Sequence, residues 1–157
     1  VTAAVKADER FHARYKVKEK HYLYCIDTGL WPNPFQRKYA WHIPQPLNVE
    51  VMEKAARFLE GTHDFSSFTT RKSKTKTSVR TLRRVSFHTE EESMLRIRLE
   101  ADGFLHNMVR IIVGTLVEAG KGERQPESLE DILKGKDRRL AGITAPAKGL
   151  FLEKAVY

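Results

Sequence analysis

The sequence has little cysteine and no long hydrophobic run, and each shortage excludes a class of protein. Cys25 is the single cysteine of the 157 residues, so no disulfide can form within the chain, and we expect a reducing, cytoplasmic location. No run of about 18 apolar residues is present, so we expect neither a helix that spans a membrane nor a membrane partner. The opening residues VTAAVKADER are mixed and charged, unlike a secretory signal. Length and composition are typical of one soluble globular domain.

Motifs for the commonest enzymatic chemistries are missing as well. The six histidines show no metal-ligand spacing and are accompanied by one cysteine, so the sequence predicts no metal site. Neither a glycine-rich phosphate loop nor a nucleophile elbow occurs. Asp64, in GTHDFSSF, follows a predicted helix and has the chemistry of a general acid or base, but an aspartate in that place is more often a turn former. Residue types and spacing alone therefore do not identify an enzyme.

Positive charge is abundant and unevenly distributed. Lys and Arg number 28 against 20 Asp and Glu, which gives a net charge of +8 and favours a polyanionic partner. Residues 69–84, here called the basic segment, carry seven of the cations, no acidic residue, and hydroxyl side chains that can donate to phosphate oxygens. The cations are Arg71, Lys72, Lys74, Lys76, Arg80, Arg83 and Arg84. The segment is either a loop that orders on RNA or an ordinary solvated loop.

Hydrophobic periodicity and turn residues predict an alternating order of strands and helices. The predicted order is strand, helix, strand, strand, helix, strand, with a short extra helix before the last strand. The ranges are a strand over 11–27, a helix from the N-cap Asn48 to Gly61, strands over 82–88 and 94–101, a helix over 105–119, a short helix over 128–134 and a strand over 150–156. This order predicts an α+β, ferredoxin-like split βαβ fold, with an antiparallel sheet and helices on one face.

The first predicted strand combines lysines with aromatic rings. Tyr22 and Tyr24 fall on the same side as Lys16, Lys18 and Lys20, which we expect to be the exposed side. Lysines hold phosphates and a tyrosine ring offers a stacking surface to an unstacked base, as in loop RNA recognition. The alternative is that one or both tyrosines pack beneath a neighbouring element.

Arg110 is unusual because its neighbours are hydrophobic. The residues around it are Met108, Val109, Ile111, Ile112 and Val113. A helix of this kind is expected to be buried on most sides, and a buried guanidinium requires an anionic partner or access to water. His106 lies one turn earlier on the same side of the predicted helix. Arg110 either marks a narrow wet edge of the helix or belongs to a site.

Five segments of the chain resemble one enzyme family. They are FHAR at residue 11, KHYLY at 20, LEGTHDFSSF at 59, GFLHNMVRIIVGTLVEAGKG at 103 and KDRRLAGITAPAKGLFL at 136. Their order and spacing resemble the second half of TruA-type tRNA pseudouridine synthases, and the resemblance extends over residues 11–157.

The resemblance implies an activity, a partner and roles for particular residues. Such enzymes convert uridine to pseudouridine in the anticodon stem-loop of tRNA without metal or organic cofactor, on a nucleotide that has left the stack. Tyr22 matches the tyrosine that lies against the base and takes the C5 proton, Arg110 matches the partner of the catalytic aspartate, and Leu150 matches a leucine that packs on the base. The other residues expected to bind substrate are Arg14, Lys20, Arg71 and Lys72. The intact enzymes are expected to be homodimers.

One departure from the family pattern affects the predicted activity. The catalytic aspartate of the family lies in an R-T-D-x-G-V segment upstream of FHAR, and no such segment occurs in residues 1–157. We therefore expect an RNA-binding C-terminal domain that completes an active site, is inactive without the N-terminal catalytic half, and leaves Arg110 facing solvent or an anion. Two alternatives stay open: a non-catalytic RNA-binding module, and a basic ferredoxin-like domain for DNA or an anionic protein.

Overall fold

The predicted order of strands and helices is present in the computed structural model, which describes residues 4–70, 77–90 and 93–157. Within those ranges, six strands form one sheet and three α-helices accompany them. The strands are β1 (Glu19–Asp27), β2 (Trp41–His42), β3 (Gly61–Asp64), β4 (Val79–Glu90), β5 (Met94–Ala101) and β6 (Leu150–Val156), and the helices are α1 (Val49–Arg57), α2 (Met108–Gly120) and α3 (Ser128–Gly135).

The strand pairing is that of a split βαβ fold. β5 lies between β1 and β4 and is antiparallel to both, and β6 pairs antiparallel with the other edge of β1. The predicted α+β fold class is therefore confirmed. Two short strands were not predicted: β2, parallel to the end of β1, and β3, antiparallel to β4. Both contain too few residues for a period-two pattern to be recognised.

The core lies between the sheet and helices α1 and α2. The inward residues of β5 are Leu95, Ile97, Leu99 and Ala101, all buried as predicted. The alternate residues Arg96, Arg98 and Glu100 lie on the opposite, polar face. In α1, the side chain of Asn48 accepts a hydrogen bond from the backbone N–H of Val51 (3.1 Å), as expected of an N-cap.

The first strand differs from its prediction in length and in orientation. It begins at Glu19 rather than at residue 11, because turns at Asp8–Phe11 and His12–Tyr15 interrupt the extended chain. The prediction that Tyr24 lies on an exposed side was wrong: its ring is fully buried on the helix side, whereas Cys25 is half-buried on the other face. Alternation identifies which residues share a face, but the covering elements decide which face is buried.

Other boundaries moved as well, and α1 ends at Arg57 rather than at Gly61, which is the first residue of β3. β4 begins at Val79, three residues earlier than predicted, and α2 begins at Met108 rather than at residue 105. The later helix start has a backbone cause, since Asn107 adopts a left-handed conformation with φ of 60°. Among the helices of the described ranges, none has the length and apolar character that crossing a membrane requires.

Candidate functional site

The guanidinium of Arg110 is held at the first turn of α2 by two hydrogen bonds. Its Nε donates to the carbonyl oxygen of Ala145 (2.6 Å), and its Nη1 donates to Oδ1 of Asn107 (3.0 Å). The side chain is partly buried. Within the described residues, no carboxylate forms a salt bridge with Arg110. Because the two bonds use different nitrogens, they fix both the position and the plane of the group.

Ala145 reaches Arg110 because residues 141–145 run along α2. The bonds that hold this segment are Ala145 N to Arg110 O (3.1 Å), Gly142 N to Thr115 Oγ1 (2.9 Å) and Ile143 N to Glu118 Oε1 (2.9 Å). The close approach depends on Gly114, since a Cβ atom at this position would lie 2.0 Å from the carbonyl oxygen of Ile143. The segment therefore has a fixed position on the helix.

The same segment continues over the ring of Tyr24. The Tyr24 hydroxyl donates to the carbonyl oxygen of Pro146 (2.6 Å), and a Cβ on Gly149 would lie 2.8 Å from the ring. Burial raises the pKa of Tyr24 well above its usual value, although the positive charge of Arg110 opposes the change. Tyr24 is therefore a neutral, structural phenol packed near Arg110.

Tyr22 has a different environment from Tyr24. It lies two residues earlier on the same face of β1, is partly buried, and meets the ring of Phe104 edge to face, with centroids 5.1 Å apart. No described residue forms a hydrogen bond with the Tyr22 hydroxyl. Leu152 of β6 is its register partner, just as Leu150 is the partner of Tyr24. Of the two tyrosines, Tyr22 is the one whose hydroxyl has no hydrogen-bond partner among the described residues.

The predicted site residues separate into three groups. Arg110 and Leu150 are brought together around Tyr24 by residues 145–150, and Tyr22 is the next residue along the same face of the strand. Lys20 continues that face one step further and is partly buried. Arg14 lies in the exposed turn before β1, with its guanidinium carbon 5.7 Å from the centre of the Tyr15 ring. Arg71 and Lys72 lie outside the described residues.

The sequence reasoning singled out His106 but missed Asn107, the residue directly before α2. His106 Nδ1 is hydrogen bonded to Thr70 Oγ1 (2.7 Å), and Asn107 Nδ2 donates to the same hydroxyl oxygen (3.1 Å). An asparagine directly before an apolar helix is a recognised start signal and would have drawn attention to Asn107. Its contact with Thr70 has no signal in the sequence, because the two residues are far apart along the chain.

Asp64 has the environment of a turn former. Its carboxylate accepts hydrogen bonds from the hydroxyls of Ser66 and Ser78, and Lys136 Nζ lies 3.2 Å away. These partners, the Ser66 hydroxyl first, lower the pKa of Asp64 to about 2. A carboxylate held so firmly in its charged form is a poor proton carrier near neutral pH.

One group of possible metal ligands occurs within the described part of the chain. Glu19, His21 and Glu100 present ligand atoms within 4.8 Å of one another on the polar face of the sheet. The two ring nitrogens of His21 face different carboxylates, with Nε2 2.9 Å from Glu19 and Nδ1 3.9 Å from Glu100. His21 is hydrogen bonded to Glu19, while Glu100 lies beyond hydrogen-bond distance of its other nitrogen. A metal would need one nitrogen and both carboxylates directed to the same point.

The sheet and helices around Arg110 form an α+β domain consistent with half of a pseudouridine synthase fold. A family model described as tRNA pseudouridine synthase matches residues 55–157. Proteins named tRNA pseudouridine synthase A are similar over nearly the whole chain. That of Thermoanaerobacter sp. (strain X514) is 47% identical over 157 residues, which are 100% of this chain and 64% of the relative. The protein of Bacillus licheniformis is 42% identical over 157 residues, which are 100% of this chain and 63% of the relative. The protein of Geobacillus kaustophilus is 46% identical over 153 residues, which are 97% of this chain and 58% of the relative.

The chain belongs to the tRNA pseudouridine synthase family. It spans about three fifths of the length of the curated relatives that it matches.

Proposed function

We propose that the chain is the RNA-binding C-terminal part of an enzyme that isomerises uridine to pseudouridine in the anticodon stem-loop of tRNA. The observation that carries the proposal is the arrangement of Arg110, which two hydrogen bonds orient without a carboxylate partner among the described residues. A carboxylate supplied by another part of the enzyme would complete the ion pair, as the family resemblance implies for the catalytic aspartate.

The proposed reaction is an isomerisation whose atoms balance within the nucleotide. The C1′–N1 bond breaks, the uracil turns, a C1′–C5 bond forms, C5 loses its proton and N1 gains one. The target base must leave the helical stack to reach the site. In this proposal Arg110 orients the aspartate, Tyr22 lies against the base and takes the C5 proton, and Leu150 packs on the base. The net change requires no co-substrate, and we expect no cofactor.

Positive charge supports tRNA as the partner. The chain carries a net charge of +8. Lys20 lies on the face of β1 that carries Tyr22, and Arg14 lies in the turn before that strand. The basic segment begins at Thr69, whose hydroxyl donates to the carbonyl oxygen of His106 next to α2. Cations arranged around the site would hold the phosphates of the anticodon arm. With tRNA as substrate, we expect a cytoplasmic protein and a homodimeric complete enzyme.

The decisive experiment compares this chain with the product of its complete coding sequence. The upstream sequence is determined, both proteins are purified, and pseudouridine formation is measured on a tRNA transcript. We expect turnover by the complete protein, which should contain the R-T-D segment, and tRNA binding without turnover by the chain alone. Turnover by the chain alone would refute the proposal. An upstream sequence without the aspartate would instead favour the non-catalytic RNA-binding module.

The role of the basic segment is tested by salt dependence. We replace Arg71, Lys72, Lys74, Lys76 and Arg80 by glutamine. The negative slope of log binding constant against log salt concentration should become shallower by roughly 3–4, if the contacts resemble those to single strands. A control variant removes the same charge elsewhere, at Lys54, Arg57, Lys121, Lys134 and Arg139. Equal slopes for the two variants would show that the basic segment is not a special phosphate-binding element.

Competition with duplex DNA separates preference for the anticodon arm from general affinity for polyanions.

A further inference from the structure

A chain of hydrogen bonds connects the start of the basic segment to the guanidinium of Arg110. Thr70 Oγ1 is bonded to His106 Nδ1 (2.7 Å) and accepts from Asn107 Nδ2 (3.1 Å). The other end of the same carboxamide, Asn107 Oδ1, accepts from Arg110 Nη1 (3.0 Å). One side chain thus contacts both the residue that precedes Arg71 and the guanidinium proposed to orient the catalytic carboxylate.

The backbone at Asn107 is consistent with a specific role for this side chain. Asn107 has φ of 60° and ψ of 7°, a left-handed conformation that asparagine tolerates better than most residues but still at a cost in free energy. An asparagine that begins a helix usually accepts a hydrogen bond from a backbone N–H of the first turn. Asn107 makes no such bond, and its oxygen accepts from Arg110 instead.

We propose that Asn107 is a positioning residue that sets the orientation of Arg110 and couples it to the basic segment through Thr70. The proposal rests on the function proposed above, because that function gives Arg110 its catalytic role. Asn107 acts through Arg110: the Ala145 carbonyl holds Nε, and the Asn107 oxygen, at a second nitrogen, prevents rotation of the guanidinium plane. RNA bound to the basic segment would hold Thr70 against Asn107 and so reinforce the orientation of the guanidinium.

The first test measures the order of the guanidinium directly. In the 157-residue chain, the Nε–H signal of Arg110 is followed by NMR, and its exchange with water is compared between the wild type and Asn107→Gly, which permits the same backbone conformation. We expect exchange to become about tenfold faster in the variant, the equivalent of one hydrogen bond to a charged group. Asn107→Asp keeps the acceptor atom and should restore slow exchange. Unchanged exchange in Asn107→Gly would overturn the proposal.

The second test concerns the coupling to the basic segment. Adding tRNA should slow Nε–H exchange further in the wild type. Thr70→Val, which removes the bridging hydroxyl, should abolish that response while tRNA is still bound. Thr28→Val is the matched control, because it also removes a threonine hydroxyl that forms a hydrogen bond (2.9 Å, to the carbonyl oxygen of Ser93), but one outside the basic segment. A Thr70→Val chain that responds like the wild type would contradict the coupling.

Failure of the proposed function gives a different result from failure of this inference. If the wild-type chain does not bind tRNA, the proposed function falls, while the comparison of Asn107→Gly with the wild type in the free state still tests the positioning role. In the complete enzyme, Asn107→Gly should lower kcat by about tenfold with little change in the KM for tRNA, since only the orientation of Arg110 is affected.

Discussion

Arg110 and Ala145 hydrogen bond to each other twice. The Nε of Arg110 donates to the Ala145 carbonyl (2.6 Å), and the Ala145 amide donates to the Arg110 carbonyl (3.1 Å). The side chain and the backbone of one helical residue are therefore tied to the same neighbour. This double contact determines where the cation lies, because residues 141–145 are themselves attached to α2 at Thr115 and Glu118.

Replacing Arg110 by lysine should separate charge from geometry. A lysine ammonium keeps the charge but cannot donate to Ala145 and Asn107 and also present a planar edge to a carboxylate. We expect turnover of the complete enzyme to fall by at least about a hundredfold, corresponding to about 3 kcal/mol of charged hydrogen bonding, with little change in tRNA affinity. Arg124→Lys, at a guanidinium that donates to Glu118, is the control. Equal losses in both variants would remove the special role of Arg110.

Loss of the hydroxyl should reduce stability at Tyr24 and activity at Tyr22, the two tyrosines of β1. Tyr24→Phe leaves the Pro146 carbonyl without its donor and should lower the free energy of unfolding by about 1–2 kcal/mol, measured by urea denaturation. Tyr22→Phe should change stability by less than about 0.5 kcal/mol. The same variant should nevertheless abolish pseudouridine formation by the complete enzyme, because Tyr22 is the proposed proton acceptor. Full activity of Tyr22→Phe would exclude that role.

Gly114→Ala should destabilise the domain strongly. Its Cβ would lie 2.0 Å from the carbonyl oxygen of Ile143 and 2.9 Å from the carbonyl carbon, and these backbone atoms cannot move aside as the end of a flexible side chain could. We expect a loss of about 3 kcal/mol or more in the free energy of unfolding, together with faster Nε–H exchange at Arg110, because Ala145 moves away with the segment. Gly103→Ala is the matched control, since among the described residues its added Cβ would meet only the Arg80 side chain, at 3.6 Å. Comparable thermal unfolding of the two variants would contradict the assigned packing.

Asp64 should make stability depend on pH in the acid range. The hydroxyls of Ser66 and Ser78 and the Lys136 ammonium lower the pKa of Asp64 to about 2, below its value of about 3.9 in an unfolded chain. The folded state therefore gains stability that is fully present above about pH 4 and is lost as pH falls towards 2.

Asp64→Asn removes this contribution. At pH 6 the variant should be less stable than the wild type by about 1–2 kcal/mol, allowing for partial exposure of the carboxylate, and the difference should disappear near pH 2. Urea denaturation across this range measures it, and a parallel Asp131→Asn variant corrects for the lost negative charge. A difference that is constant with pH would mean that the carboxylate is not stabilised by its neighbours.

Local sequence patterns were sufficient for the order of elements and for part of the site. Period-two alternation identified the inward residues of β5, and the Asn48 cap and apolar stripe identified α1. The isolated cation among apolar residues identified Arg110 as a residue that needs an anionic partner or access to water, whereas its two partners among the described residues are neutral, a carbonyl and a carboxamide oxygen. The resemblance to pseudouridine synthases, read from five segments, agrees with the family found by comparison.

What the sequence by itself determined is therefore the α+β fold class, the order of the four long strands and three helices, and the family. The tertiary structure alone decided that Tyr24 is buried while the Tyr22 hydroxyl is uncommitted among the described residues, and that Asn107 joins Thr70 to Arg110. The physical reason is that these properties arise from contacts between distant parts of the chain: Tyr24 and Pro146 are 122 positions apart, and Arg110 and Ala145 are 35 apart. Such contacts depend on how the helices cover the sheet, which local periodicity does not specify.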